Sequence, residues 1–194
     1  MKAVIFATLA GLAQMAVAVG VVGAAEGFAA GVTGGGNAAP QYPKDINELT
    51  TWLTDATPRT IVLDKTFDFT NSEGTVTGTA CANWGTGAKC QRILLDTCGT
   101  APAETVTYPK APKQGIKVAS NKSILGIGNK GIIKGKGLTF QGKNCIVQNI
   151  QVSDLNHKYV WGGDAISFAG ADQIWIDHVT VRSPPLLATY VRTC

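Results

Sequence analysis

One short segment, residues 159–166 with the sequence YVWGGDAI, carries the densest group of side chains that could do chemistry. Asp164 supplies a carboxylate, and the two glycines before it let another chain or a ligand approach the backbone closely. Tyr159 and Trp161 add aromatic surface, which buries the apolar faces of sugar rings while nearby polar groups fix their orientation. The segment therefore resembles a carbohydrate subsite, although an aspartate in a turn after two glycines explains the spacing equally well.

The two histidines of the chain are weaker candidates for catalysis. His178 ends an apolar run in which strand alternation puts Ile174, Ile176 and His178 on one face. Because buried polar side chains need partners, we predict an inward, hydrogen-bonded His178 rather than a catalytic base. His157 lies in a polar turn, where we predict an exposed loop residue.

Two apolar runs, residues 144–152 and 172–181, flank the chemical segment. Both are rich in β-branched residues, alternate in polarity and are bounded by turn residues, which predicts strands. Placing Asn149 over His178 also places Val152 over Val181, an offset of 29 positions. A repeat of this length is typical of a solenoid, and the absence of room for crossover helices after Leu53 favours a parallel β-helix.

Four segments together carry a family resemblance: WGGDAI at 161–166, WIDHV at 175–179, GFAAGVTGGG at 27–36 and IKGKG at 133–137. They resemble the pectate and pectin lyase superfamily of right-handed parallel β-helices. The fungal pectin lyase branch is the closer match, because Trp-Gly-Gly precedes the aspartate and residues 81–98 resemble its cysteine-bearing insertion. The resemblance covers roughly residues 22–180. It implies an all-β fold, a single-stranded right-handed parallel β-helix of which the chain holds the N-terminal half.

A short capping helix is predicted near the start of this solenoid. Asp45 is a candidate N-cap with Glu48 three residues on, and Ile46, Leu49 and Leu53 share one helical face. We expect the helix to cover the open end of the coil stack, since a terminal repeat needs a cap. Short strands are predicted at 60–63, 66–69, 115–118, 122–127 and 131–135. Residues 126–131 match GxGxxG, but a strand follows instead of a helix, which argues against dinucleotide binding.

The chain divides into three predicted parts. Residues 1–18 read as a secretory signal peptide, because Met1-Lys2 precedes an apolar stretch that ends in Ala16-Val17-Ala18 and is too short to span a membrane. The alternative is a buried N-terminal helix. Residues 19–180 form the β-helix domain, and residues 181–194 form an aberrant tail in which nothing is strand-like. An unfinished coil stack would expose an unpaired sheet end and apolar core.

Composition fits a secreted globular protein of 194 residues, with 45% hydrophobic and 15% charged residues, 23 glycines and a net charge of +4. The mild positive charge suits either lysines scattered on loops or a basic cleft for an acidic polysaccharide. Without a basic run interleaved with aromatics, nucleic acid is not an expected partner. We predict an extracellular monomer with neither a nucleic-acid nor a membrane partner.

Five cysteines and one sequon complete the candidate sites. Cys145 lies in a predicted strand, which indicates a buried free thiol. The resemblance implies a disulfide between Cys81 and Cys98, and a bridge from Cys90 to a cysteine further along the full-length family members; Cys194 does not match that partner, so Cys90 is expected to be unpaired. Asn121 begins an N-glycosylation sequon, with occupied and chance readings left open. No cysteine or histidine spacing suggests a zinc site.

The activity that the resemblance implies is β-elimination in methyl-esterified galacturonan, pectin, without an obligatory metal or cofactor. Asp164 then takes the role of a catalytic residue in the cleft, with Trp161 and Trp84 as substrate-binding residues. The family's general base is an arginine in a segment downstream of this chain, and Arg182 does not match it, so the 194-residue chain is expected to be inactive. Two alternatives stay open: a calcium-dependent pectate lyase in which Asp164 is a ligand, and a non-catalytic β-helix that binds cell-wall polysaccharide through Trp84 and Trp161.

Overall fold

The computed structural model describes residues 19–88 and 90–182, which form stacked β-strands, one α-helix and two 3-10 turns. The helix α1 spans Ile46–Thr54, and the 3-10 turns span Gly27–Ala29 and Ala111–Lys113. The strands are β1 Pro40–Gln41, β2 Arg59–Leu63, β3 Thr66–Asp68, β4 Thr75–Cys81, β5 Arg92–Leu94, β6 Ala103–Pro109, β7 Ile116–Val118, β8 Lys122–Gly126, β9 Ile132–Lys134, β10 Leu138–Phe140, β11 Lys143–Gln148, β12 Gln151–Ser153, β13 Tyr159–Val160, β14 Ile166–Phe168, β15 Asp172–Asp177 and β16 Thr180–Arg182.

The chain winds through three parallel sheets in a fixed order. It passes from β7 to β8 to β9, then from β10 to β11 to β12, and then from β14 to β15 to β16. Strands one coil apart pair in parallel, which gives a first sheet β1-β2-β8-β11-β15, a second sheet β7-β10-β14 and a third sheet β3-β9-β12-β16. This topology confirms the predicted all-β parallel β-helix. The predicted signal peptide, residues 1–18, lies outside the described residues.

The predicted register between the last two coils is confirmed. Val152 pairs with Val181, and the side chains of Gln148 and Asp177, which are 29 positions apart, are hydrogen bonded. The preceding coil is shorter, because Asn121 and Asn144 stack only 23 positions apart. The extra residues of the longer coil form an excursion that leaves the stack between β12 and β14.

Columns of apolar side chains fill the interior of the coils. Ile61, Ile124 and Val147 occupy paired positions in the first sheet and are each 0% exposed. β-Branched side chains pack well on a pleated surface, so neighbouring coils interlock. Burying each such side chain contributes about 1.5–3 kcal/mol, which makes these columns the main stabilising feature of the fold.

The first sheet is buried on its outer face as well, because residues 19–39 run across it. The backbone N–H of Gly35 donates to Ser123 Oγ at 2.9 Å, and the side-chain amide of Gln148 exchanges hydrogen bonds with the backbone of Val22 at 3.0 and 2.7 Å. A Cβ at Gly35 would lie 2.3 Å from the carbonyl oxygen of Arg59, so only glycine permits this approach. The glycine-rich segment therefore covers the outer face of the first sheet.

The predicted helix is confirmed, with Asp45 as its N-cap. Asp45 Oδ1 accepts hydrogen bonds from the backbone N–H groups of Asn47 and Glu48 at 3.0 and 2.9 Å. Leu49 and Leu53 are 0% exposed and join the core of the coils. Because α1 lies against β7, the edge strand of the second sheet, it covers the end of the stack as expected.

A buried charged cluster lies beside the helix C-terminus. Lys122 is 0% exposed, and its Nζ lies 2.6 Å from Asp55 Oδ1 and 2.5 Å from the carbonyl oxygen of Thr57. Arg59 donates to the other oxygen, Asp55 Oδ2, at 2.6 and 2.8 Å. Burial by itself raises the pKa of Asp55, but the hydrogen bonds from Arg59 and Lys122 outweigh it, so the pKa lies below its ordinary value. We name these three residues, Asp55, Arg59 and Lys122, the end cluster.

Two predictions at the last coil need correction. The strand was predicted to end at Val181, with Arg182 in the tail, but Arg182 pairs with Ser153 and belongs to the third sheet. His178 is not inward: its side chain is 80% exposed, and its Nδ1 lies 2.6 Å from Asp177 Oδ1. The reason is its backbone, since φ is +51° and this left-handed turn ends the strand alternation.

Candidate functional site

Two excursions from the coil stack meet on one side of the molecule. The first comprises residues 70–115 and contains β4, β5 and β6, and the second comprises residues 154–165 and contains β13. β13 pairs in parallel with β5, matching Tyr159 to Arg92, while β4 pairs antiparallel with both β5 and β6. The segment that carries the candidate chemistry is therefore held by this fourth, mixed sheet rather than by the coils alone.

Trp161 follows β13 directly and presents its indole to solvent. The residue is 66% exposed and has a φ of +64°, a left-handed conformation that is rare for a bulky side chain. Such a conformation costs about 1–2 kcal/mol and persists only where the surroundings hold it. An exposed aromatic ring in a strained turn is typical of a binding site, which supports the sequence-based choice of Trp161.

Three hydrogen bonds hold the turn at Trp161. The N–H of Gly162 donates to the Tyr159 carbonyl oxygen at 3.1 Å, and Lys113 Nζ donates to the Trp161 carbonyl oxygen at 3.1 Å. Asn156 Nδ2 donates to the Gly162 carbonyl oxygen at 3.0 Å. The next glycine is needed for close approach, because a Cβ at Gly163 would lie 2.1 Å from the carbonyl oxygen of Pro112.

Asp164 has an anchored backbone and an exposed side chain. A Cβ at Gly137 would lie 1.8 Å from the Asp164 carbonyl oxygen, which explains one glycine of the IKGKG motif. The Leu138 N–H donates to the next carbonyl oxygen, that of Ala165, at 2.9 Å. Within residues 19–88 and 90–182 the carboxylate has neither a hydrogen bond nor an ion pair, so it is open to a ligand.

Trp84 is half-buried and follows β4. β4 ends at Cys81 opposite Ile93, so the chain leading to Trp84 runs past the start of β5. Trp161 instead follows Val160, which also pairs with Ile93, so it lies towards the other end of β5. By strand register the chain therefore reaches Trp84 past the start of β5 and Trp161 past its end, and Asp164 follows Trp161 by three residues.

The cysteine predictions have mixed outcomes. Cys81 and Cys98 form the predicted disulfide, with their Cα atoms 5.3 Å apart. Cys145 is a buried free cysteine, as expected, and burial raises the pKa of its thiol. Cys90 is also disulfide-bonded, so the expectation that it is unpaired is wrong.

The first excursion has a polar anchor that sequence reasoning missed. Arg92 is only 8% exposed, and its guanidinium forms a bidentate pair with Glu104 at 2.8 and 3.0 Å. The same guanidinium donates to the Cys90 carbonyl oxygen at 2.8 Å. The hydrogen bonds from Arg92 to the carboxylate lower the pKa of Glu104. The sequence gives no signal for this pair, because Arg92 and Glu104 meet only through the pairing of separate strands.

Aromatic and polar side chains line a groove between the two excursions. The rings of Tyr108 and Tyr159 pack with centroids 5.4 Å apart. His157 lies in this groove and is half-buried, so the prediction of an exposed loop residue is wrong. Burial, followed by the charge of Lys158, lowers the pKa of His157, so its imidazole is neutral at pH 7.

The sequon residue Asn121 is hydrogen bonded to Asn144 in the next coil. It is half-buried, and its Oδ1 accepts from Asn144 Nδ2 at 2.8 Å. The third residue of the sequon, Ser123, is 1% exposed beneath Gly35. Glycosylation of Asn121 stays a prediction, and in the folded chain this side chain is engaged by its neighbours.

Membrane-spanning helices and metal-binding clusters are both absent from residues 19–88 and 90–182. None of the helices among them is both apolar enough and long enough to cross a lipid bilayer. No group of three or more histidine, cysteine, aspartate or glutamate residues among them lies close enough to hold a metal ion.

The chain is similar to several curated fungal proteins, whereas no family model matches it. The probable pectin lyase A of Aspergillus flavus is 62% identical over 176 residues, which is 90% of this chain and 47% of that protein. The probable pectin lyase A of Aspergillus fumigatus is 56% identical over 182 residues, covering 90% and 48%. The probable pectin lyase B of Aspergillus niger is 55% identical over 187 residues, covering 92% and 49%. The chain thus spans about half the length of these relatives.

Solved structures show a similar fold. A polygalacturonate lyase fused with a self-assembling amphipathic peptide aligns with a TM-score of 0.56 at 18% identity, covering 91% of this chain and 54% of that chain. A mutant of the Bacillus subtilis pectate lyase aligns with a TM-score of 0.56 at 19% identity, covering 87% and 51%. At these identities the likeness concerns the fold alone.

Proposed function

We propose that the chain belongs to the fungal pectin lyase family and forms part of a secreted pectin lyase, since it is similar to these relatives over most of its own length. Its proposed substrate is 1,4-linked, methyl-esterified galacturonan, cleaved by β-elimination, and the protein acts as an extracellular monomer. The observation that carries the proposal is the 62% identity over 176 residues to the probable pectin lyase A of Aspergillus flavus.

The reaction sets the demands on the site. β-Elimination removes the proton at C5, forms the C4–C5 double bond and expels the C4 oxygen as the leaving group. The methyl ester neutralises the uronate and makes the C5 proton more acidic, so the ester form has less need of a metal ion than the anion.

Two described residues meet part of these demands. The exposed indole of Trp161 offers a face against which a sugar ring packs. Asp164, three residues on, carries an open carboxylate that orients the chain and contributes to the field at the reacting ring. Asp164 is not assigned as the base that removes the C5 proton.

Because this chain matches about half the length of its relatives, a chimera with one of them tests the proposal. In a chimera, the matched residues of the Aspergillus flavus relative are replaced by those of this chain, and the unsaturated uronate released from highly methylated pectin is measured by absorbance. We expect turnover, and Asp164→Ala should lower it about ten- to a thousandfold, as is typical for one electrostatic group. The matched control is Asp172→Ala, an exposed aspartate in β15, which should leave turnover nearly unchanged.

Three results would contradict the proposal. A chimera that folds but releases no unsaturated product would remove the assignment as a lyase. Activity on unesterified galacturonan that requires added calcium and vanishes with a chelator would favour a pectate lyase. Wild-type turnover in Asp164→Ala would make Asp164 a turn residue.

A further inference from the structure

The amide of Asn156 joins the two excursions at the base of the Trp161 turn. Its Nδ2 donates one proton to the Pro109 carbonyl oxygen at 2.9 Å and the other to the Gly162 carbonyl oxygen at 3.0 Å. Pro109 ends β6 in the first excursion, whereas Gly162 lies in the second excursion. One side chain therefore uses both of its donors to bridge segments that are far apart in sequence.

The backbone of Asn156 supports the same turn. Its carbonyl oxygen accepts the Tyr159 N–H at 2.8 Å, and the Tyr159 carbonyl oxygen in turn accepts the Gly162 N–H at 3.1 Å. A Cβ at Gly162 would lie 2.8 Å from Asn156 Cβ, so the two residues are in close contact. The residue between these bonds is Trp161, whose left-handed backbone needs such support.

A second side-chain hydrogen bond links the two excursions at this turn, and it is the weaker of the two. Lys113 Nζ donates to the Trp161 carbonyl oxygen at 3.1 Å, but this bond is exposed to solvent. Its donor is at the tip of a long side chain, which loses rotamer freedom when the bond forms. The amide of Asn156 is part-buried and short, so it loses little rotamer freedom when it binds. Asn156 is therefore the stronger of the two links.

We propose that Asn156 is a positioning residue that fixes Trp161, and with it Asp164, in the geometry that receives a methyl-esterified galacturonan chain. This inference rests on the proposed function, since it assigns a saccharide to the Trp161 surface. Asn156 touches no substrate itself; it acts through the conformation of the turn.

The first test measures the turn without any saccharide. Asn156→Asp keeps the shape of the side chain, and aspartate, like asparagine, adopts a positive φ such as the +40° of residue 156. The substitution removes both protons that the amide donates. We expect hydrogen exchange at the Gly162 amide to become about fivefold to fiftyfold faster, while exchange in β11 stays unchanged. Asn129→Asp is the matched control, because Asn129 is an exposed turn residue. Unchanged exchange at Gly162 in Asn156→Asp would overturn the positioning role.

The second test is a double-mutant cycle on the affinity of the intact chain for a methyl-esterified oligogalacturonide. Asn156→Asp should weaken binding about fivefold to fiftyfold when Trp161 is present, and less than about twofold in the Trp161→Ala background. A purely structural effect would give equal, additive losses in both backgrounds and would refute the inference.

The two proposals fail in different ways. If the wild-type chain binds no oligogalacturonide, the saccharide assignment in this inference falls, the chimera still decides the proposed function, and the exchange measurement still decides whether Asn156 holds the turn. If the wild type binds and the losses are additive, the proposed function stands and the role given to Asn156 falls.

Discussion

The last described coil, β14 to β16, and the coil before it, β10 to β12, differ in burial although their strands are in register. Phe140 in β10 is 0% exposed, whereas Phe168, which packs on it with ring centroids 5.8 Å apart, is 58% exposed. Val152 is 0% exposed, and its partner Val181 is 61% exposed. Since each coil is covered by the next, burial at a position depends on its neighbours more than on its own residue type.

At the end of the stack that carries α1, the coils are covered by a helix and not by another coil. The helix and the end cluster cover it, and Lys122 takes a core position of the first sheet, in register with Cys145 and Ile174. At the other end, within the described residues, β14, β15 and β16 have coil partners on one side only. Among the described residues, the end that α1 covers is therefore the more deeply buried of the two.

The largest expected effect is in the paired phenylalanines. Phe140→Ala should destabilise the chain by about 3–5 kcal/mol because it leaves a cavity in a covered coil. Phe168→Ala removes a ring that is mostly in solvent, so we expect about 1 kcal/mol. Urea unfolding followed by circular dichroism measures both, and equal losses would contradict the difference between the covered coil and the last described coil.

Removing the buried charge of Lys122 should cause the second largest loss in the free energy of unfolding. Lys122→Met removes the donor for Asp55 and for the Thr57 carbonyl oxygen, and we expect a loss of about 2–4 kcal/mol in the free energy of unfolding. Lys134→Met is the control, because the pair of Lys134 with Asp68 is largely exposed and should contribute less than about 1 kcal/mol. A stabilised Lys122→Met variant would show that the closed end does not need its charge.

The closed end should also have its own acid dependence. The pKa of Asp55 is lower in the folded chain than in the unfolded chain, so its stabilisation is complete above the ordinary aspartate range and is lost as the pH falls through the folded value. Asp55→Asn should therefore flatten the acid limb of the unfolding free energy below about pH 4. Asp172→Asn in the last coil serves as the control, and the same flattening in both variants would contradict the role of the end cluster.

The smallest effect distinguishes a capping carboxylate from an open one. Asp45→Ala removes the helix N-cap, and we expect a loss of about 1 kcal/mol. Asp164→Ala should change stability by less than about 0.5 kcal/mol, because its carboxylate has no partner among the described residues. Thermal unfolding of the two variants side by side checks this, and a large loss in Asp164→Ala would indicate a structural role.

The local pattern of the sequence was sufficient for the coils and the helix. The alternation in residues 144–152 and 172–181 predicted strands, and their shared spacing predicted the observed pairing of Val152 with Val181. Asp45 and Glu48 marked the helix start that the structure shows. These features succeed because strand alternation and capping involve neighbours along the chain, which the sequence displays directly.

Predictions failed where distant segments meet. His178 turned outward because its backbone left the strand conformation, and His157 is half-buried because two excursions enclose it. Lys122 read as the middle residue of a sequon, yet the fold makes it a buried partner of Asp55. Nothing along the chain marks such pairs, because they depend on which coil or excursion lies alongside.

For the candidate site, the sequence by itself determined the residue types: an aromatic ring, two glycines and a carboxylate in residues 161–164. The tertiary structure alone decided that Trp161 is exposed in a left-handed conformation, that the Asp164 side chain is exposed, and that Asn156 bridges to Pro109. The physical reason is that a left-handed Trp161 is unfavourable by local propensity, so only contacts from a second, sequence-distant excursion can hold it.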